Sequence, residues 1–109
     1  MASTPEGRVK DYVKAMLKEF APQVYYHMPV QNGMGSPTLD FICCGYGQYF
    51  GIETKAPGKK PTPRQEVTIR QIKDAGGHVF VIDSPMCPDA DILPAWLRQL
   101  RTTYVLQEL

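Results

Sequence analysis

The sequence predicts a mixed α/β (α+β) domain, a central sheet flanked by helices in the order α-β-β-β-α-β, with a further helix at the C-terminus. Three observations lead there. Val9, Tyr12, Val13, Met16, Leu17 and Phe20 follow the i, i+3, i+4, i+7 spacing of one buried helical stripe. Leu39 to Cys44 and Tyr49 to Lys55 are aromatic and branched runs joined by the glycine-containing turn Gly45-Tyr46-Gly47-Gln48, the pattern of a β-hairpin. Thr62-Pro63 then opens a second helix, and another apolar run, His78 to Asp83, follows it.

Each element has a local cause. The first helix spans Pro5 to Phe20, with Ser3 or Thr4 as its cap and Pro5 tolerated in the first turn. Glu6 lies three residues before Val9 and seven before Val13, which puts it on the inward stripe. Val24 to Met28 is a first strand that stops at Pro29, and Gln31 to Pro37 is a loop marked by glycines and proline. In the second hairpin strand Glu53 and Lys55 are two apart and project from one face. Ala56 to Pro61 is a stiff basic loop, and the second helix ends near Gly76-Gly77, where glycine can turn left-handed. Ser84 to Asp91 reads as turn, with Pro94 in the first turn of a last helix carrying Trp96, Leu97 and Leu100.

With 109 residues, the chain has room for one core, so residues 1–109 are expected to form a single domain. No run of about 18 apolar residues exists, so no membrane span is expected. Met1 to Glu6 lacks the basic start and apolar core of a signal peptide, which points to the cytoplasm. Three cysteines, two of them adjacent (Cys43-Cys44), fit neither a disulfide framework nor zinc spacing, and strand alternation sends the adjacent pair to opposite faces. Net charge is only +1, but it is unevenly spread: Glu53 to Lys73 carries +4 and the remainder −3. A basic stretch beside acids suits a polyanion, although the same charges could simply solvate a loop and a helix face.

The chemistry concentrates on Asp40, Glu53 and Lys55. A hairpin brings these two carboxylates and one ammonium to one end of the sheet. Acids beside a buried strand are costly unless a metal or an opposite charge compensates. Two hard oxygen ligands and a lysine are the minimal set for metal-assisted phosphodiester hydrolysis. Each residue also has a plainer reading. Asp40 could bond backbone amides at a loop end, Glu53 and Lys55 could be a solvent-facing pair, and Glu6 and Gln65 could complete capping boxes with Ser3 and Thr62. His27 and His78 read as packed residues.

Taken together, Asp40, then Glu53-Thr54-Lys55 at a strand end, then Gln65 opening the next helix, resemble the PD-(D/E)XK nuclease superfamily. Gly35-Ser36-Pro37-Thr38-Leu39-Asp40, Ile52 to Pro57, Pro61 to Gln65 and Gly76 to Ile82 are similar to the VRR-NUC branch, especially its stand-alone phage-encoded versions. Many members place the aspartate directly after proline; here Thr38-Leu39 intervene. The resemblance covers roughly Glu6 to Asp83. It implies a restriction-endonuclease-like core and a divalent cation, Mg²⁺ or Mn²⁺, held by Asp40, Glu53 and the backbone carbonyl of Thr54, with Glu6 adding a ligand directly or through water. It implies catalytic roles for Asp40, Glu53, Lys55, Gln65 and Glu6, and products with 5′-phosphate and 3′-hydroxyl ends. Nothing in the sequence resembles a base-reading motif, so Lys59, Lys60, Arg64 and Arg70 are read as phosphate contacts. Likeness to Holliday-junction resolvases implies branched DNA and a two-fold homodimer, for which Trp96 and Tyr104 are interface or core candidates. A nicking, flap or loosely specific degradative endonuclease, a non-catalytic DNA-binding or assembly protein on a nuclease-like fold, and an unrelated small α/β interaction domain are the rival readings.

Overall fold

The structure is a computed structural model that describes residues 4–31, 33 and 35–108. Helix α1 is Pro5–Lys18, followed by strands β1 (Val24–His27), β2 (Phe41–Gly45) and β3 (Gln48–Thr54), helix α2 (Pro63–Asp74), strand β4 (His78–Ile82) and helix α3 (Pro88–Glu108). The four strands stand in chain order, with β1-β2 and β2-β3 antiparallel and β3-β4 parallel. This is the mixed, helix-flanked sheet expected from the sequence. No described helix is long and apolar enough to cross a membrane.

Strand alternation sorts the side chains. Phe41, Cys43, Phe50, Ile52, Phe80 and Ile82 face one way and meet the α1 stripe of Val9, Val13, Met16 and Leu17, together with Leu93 and Leu97 of α3. Burying each large side chain of this kind contributes about 1.5–3 kcal/mol, so this face sets the order of the sheet. Trp96 closes the layer, its ring centroid 5.2 Å from that of Phe50, 5.4 Å from Phe80 and 4.5 Å from His78. It is therefore a packing residue. Tyr104, by contrast, is partly exposed and meets Tyr46 edge-on at 5.6 Å. Helix α2 covers the opposite face, where Ile72 and Tyr49 press against Gly77. On that side Tyr25 and Cys44 remain exposed, while Cys43 is buried, as alternation requires. Burial pushes the Cys43 thiol up to about 12, so it behaves as a small apolar residue.

The helix starts follow their caps. The Thr4 hydroxyl accepts from Gly7 N at 2.9 Å; the alternative cap, Ser3, and its capping box with Glu6 lie outside the described residues. At α2, Thr62 Oγ1 accepts from Gln65 N at 3.2 Å while Gln65 Oε1 accepts from Thr62 N at 2.9 Å, a complete capping box. Tyr46 and Gly47 form the hairpin turn with φ of 52° and 80°, so a tyrosine occupies a left-handed position usually left to glycine or asparagine.

Several element ends shift by one or two residues from expectation, β2 starting at Phe41 rather than Leu39 and α1 ending at Lys18 rather than Phe20, and two further differences bear on the packing and the site. Helix α3 begins at Pro88, and Pro94 lies inside it. Pro88 takes the first-turn position, and the buried side chains of Ala90, Leu93 and Leu97 hold the helix on the sheet through the proline. Strand β3 ends at Thr54, so Lys55 stands just past it, its N–H donating to Ile82 O at 3.0 Å. At the edge, Val81 N donates to Asp89 Oδ2 at 2.8 Å, which ties the start of α3 to β4.

Gly51, in the middle of β3, makes room for the residue that leads into Asp40. A Cβ there would come within 2.7 Å of Leu39 Cδ1, and Leu39 is fully buried immediately before that aspartate. Gly51→Ala is expected to destabilise the protein by about 1–3 kcal/mol through overpacking, read as a lowered midpoint in urea. A midpoint at or above that of the parent protein would show that Leu39 has room to move.

Candidate active site

The β2-β3 register brings the two acids together. Phe41 lies opposite Ile52, so Asp40, one residue upstream, stands opposite Glu53. Asp40 N donates to Glu53 Oε1 at 3.3 Å. The Asp40 carboxylate is fixed from both sides: Oδ2 accepts from Thr54 N at 3.0 Å and from Thr54 Oγ1 at 2.7 Å, and Oδ1 accepts from Gln31 Nε2 at 3.1 Å. Glu53 is only 1% exposed, and its second oxygen, Oε2, is buried with no hydrogen-bond partner. An orphaned carboxylate oxygen beside a second carboxylate is an arrangement that awaits positive charge.

The acids titrate in opposite directions. Burial pushes Glu53 up to about 8, and the Asp40 carboxylate beside it pushes the same way; the Asp40 N–H and Lys55 offset only part of this. Burial also works against ionised Asp40. The adjacent Glu53 carboxyl and hydrogen bonds from the Thr54 amide and hydroxyl outweigh that, helped by the charge of Lys10, and hold it below the ordinary carboxylate range. One carboxyl thus stays ionised while its neighbour keeps a proton, as two like charges at close range require.

Lys55 follows β3 directly and its charge acts on Glu53, so the lysine belongs to the same end of the sheet. Glu6 is placed differently from the sequence reading. Its side chain is 42% exposed, at the margin of the inward stripe, and Oε2 pairs with Lys10 Nζ at 2.9 Å. Lys10 Nζ in turn lies 3.9 Å from Asp40 Oδ2, so Glu6 reaches the acidic pair through a lysine. Among the described residues no three His, Cys, Asp or Glu side chains cluster as a metal site. The pair of Asp40 and Glu53 nevertheless fits a hard cation, because Mg²⁺ uses one or two carboxylates and keeps several waters. The buried free oxygen of Glu53 supplies the matching donor.

Gln65 is committed through Oε1 to the α2 cap, and its side chain lines a groove of about 230 Å³ between the 30–38 loop and the head of α2, with Gln31, Ser36, Thr38 and Arg64. Because Gln31 reaches Asp40, this groove leads towards the acids. Lys59, Lys60 and Arg64 follow one another along the exposed approach to the same helix end. The loop that carries the lysines is held by Gly58 N donating to Asp83 Oδ2 at 3.0 Å and Lys59 N donating to Ala56 O at 2.9 Å. Arg70 is not gathered with them: it sits beside Glu66 and Lys73, about 240° round the helix axis from Arg64. A larger hollow of about 460 Å³ under the foot of α2, lined by Tyr49, Ile72 and Gly77 among others, contains no acid, lysine or histidine.

Three contributors escape sequence reasoning. Lys10 stands four residues after Glu6, an ion-pair spacing legible on a helix. The Thr54 hydroxyl and Gln31 give no signal, since a threonine in a strand and a glutamine in a loop are ordinary.

No family model matches the sequence, and no curated protein matches it. A solved structure described as a VRR_NUC domain is similar to it, with a TM-score of 0.64 and 25% sequence identity over 75% of this chain and 87% of that one. The likeness extends to the mixed sheet, so the chain shares the nuclease-type fold of that VRR_NUC domain, with Asp40, just before β2, facing Glu53 on β3.

Proposed function

We propose that the protein is a metal-dependent, structure-selective endodeoxyribonuclease that hydrolyses phosphodiester bonds in branched DNA, in the manner of a Holliday-junction resolvase. The observation that carries this reading is the facing pair Asp40 and Glu53, with a buried unpartnered Glu53 oxygen and Lys55 at the same strand end. Asp40, Glu53 and the Thr54 carbonyl would hold Mg²⁺ or Mn²⁺, which supplies Lewis acidity and a water acidic enough to attack phosphorus at neutral pH. Thr54 N and Oγ1 keep the Asp40 carboxylate ionised and aimed. Glu53 would hold such a cation as the carboxylate, its proton released to solvent. Lys55 orients the attacking water or stabilises the charge that gathers on the phosphoryl oxygens. Glu6 contributes to the site through Lys10 or through water.

Lys59, Lys60 and Arg64 approach the groove at the head of α2 and suit phosphate contacts, which position a backbone without reading bases. Arg70 would touch DNA only on a second surface. Recognition by shape follows, and the two symmetric strands of a four-way junction call for two copies of a chain with one such site. The products expected are 5′-phosphate and 3′-hydroxyl ends.

The test is cleavage of labelled four-way junction, flap and matched duplex, with and without Mn²⁺, by the protein and Lys55→Ala. Metal-dependent, junction-biased cutting that falls by about 10²–10³-fold in the variant is expected. Equal cutting of all three substrates would replace junction selectivity with a loosely specific nuclease, and no cutting of any would leave a DNA-binding protein on a nuclease fold.

A further inference from the structure

Helix α1 contributes a cation, Lys10, beside the two-acid site. Glu6 and Lys10 are one turn apart, and Glu6 Oε2 holds Lys10 Nζ at 2.9 Å. That tether leaves the ammonium 3.9 Å from Asp40 Oδ2, within ion-pair range, on a side chain only 26% exposed. The same Asp40 oxygen already accepts two hydrogen bonds from Thr54, so the lysine adds charge to a carboxylate whose geometry is fixed without it.

We infer that Lys10 is a positioning residue that acts as a tethered counter-cation of the acidic pair and sets how tightly the site takes a divalent metal. The inference rests on the proposed metal site of Asp40 and Glu53. In the metal-free protein the ammonium offsets the charge of the Asp40 carboxylate, 3.9 Å away. Towards an incoming divalent cation it is a like charge a few ångströms from a ligand, and it weakens that cation's binding. Glu6 keeps the ammonium there by occupying its other side.

The experiment is calorimetric titration of MnCl₂ into the full chain at low salt, without DNA and without turnover. Lys10→Met and Lys10→Gln are expected to lower the Mn²⁺ Kd by about five- to twentyfold, the effect shrinking at high ionic strength. Lys10→Arg keeps the charge and is expected to stay within about twofold of the parent protein. Circular dichroism of the metal-free variants checks that each folds; the two neutral substitutions give independent readings if one does not. An unchanged or raised Kd in the neutral variants overturns the inference. If the parent protein takes up no Mn²⁺, or Asp40→Asn binds it equally well, the metal-site reading itself fails. Loss of Mn²⁺ binding in Asp40→Asn with no effect of Lys10→Met sinks the role of Lys10 alone.

Discussion

Asp40→Asn is expected to abolish metal-dependent cleavage, by at least about 10³-fold, while leaving the fold intact. Asparagine keeps an oxygen that can accept from Thr54 N and Thr54 Oγ1, which now bond Asp40 Oδ2 at 3.0 and 2.7 Å, and its shape fits the same space. What it removes is the ionised carboxylate, the one group at the site held below the ordinary range and so charged throughout neutral pH. It also removes the negative charge that helps keep Glu53 protonated. Cleavage of a labelled junction in Mn²⁺, with circular dichroism alongside, checks both halves. A folded Asp40→Asn that still cuts at a rate near that of the parent protein would dismiss Asp40 as a ligand.

Glu53→Gln separates stability from activity more sharply. The Glu53 carboxyl is pushed from 4.5 to about 8 by burial and by Asp40, so between those values the folded, metal-free protein holds a proton that the unfolded chain has lost. The sign follows directly: the stability that goes with this proton is fully present below about pH 4.5, declines as pH rises, and is gone above about pH 8. Asp40 has the opposite slope, its contribution being lost on acidification below its ordinary value of 3.8, so the two do not cancel near neutrality. Glutamine has no proton to lose. Metal-free Glu53→Gln is therefore expected to gain stability over the parent protein as pH rises from 5 to 8, by about 2–4 kcal/mol at the upper end, while cleaving no DNA. Thermal melts across that range, with EDTA present, are the measurement. Adding Mn²⁺ should stabilise the parent protein and leave the variant unchanged. Parallel melting curves at every pH would show that Glu53 is not held protonated.

Much of this is legible in the sequence because local causes and packing agree. The α1 stripe, the Tyr46-Gly47 turn between two apolar runs and the capping box of Thr62 and Gln65 each have a cause within a few residues. The pairing of Asp40 with Glu53 comes from the hairpin, since a short turn fixes the register. The start of α3 is less legible, because Pro94 alone looks like a first-turn residue; contacts from Ala90, Leu93 and Leu97 outweigh a proline's local preference, and such contacts are invisible along the chain. Periodicity alone buries Glu6, but in the first turn of α1 the side chain is half-exposed and pairs with Lys10. Lys10 is easily overlooked because a lysine flanking an apolar stripe reads as solvated until the strand it leans over is known. Gln31 depends on where a glycine-rich loop comes to rest, which no local signal fixes.

The bond from Val81 N to Asp89 Oδ2 has one more consequence. An outer strand with free amide groups invites a foreign strand to zip alongside it. Here the Val81 amide, towards the end of β4, is already taken by the carboxylate of Asp89 in the first turn of α3, so another chain pairing at Val81 would have to break that bond. Growth of the sheet past β4 is thereby discouraged at Val81.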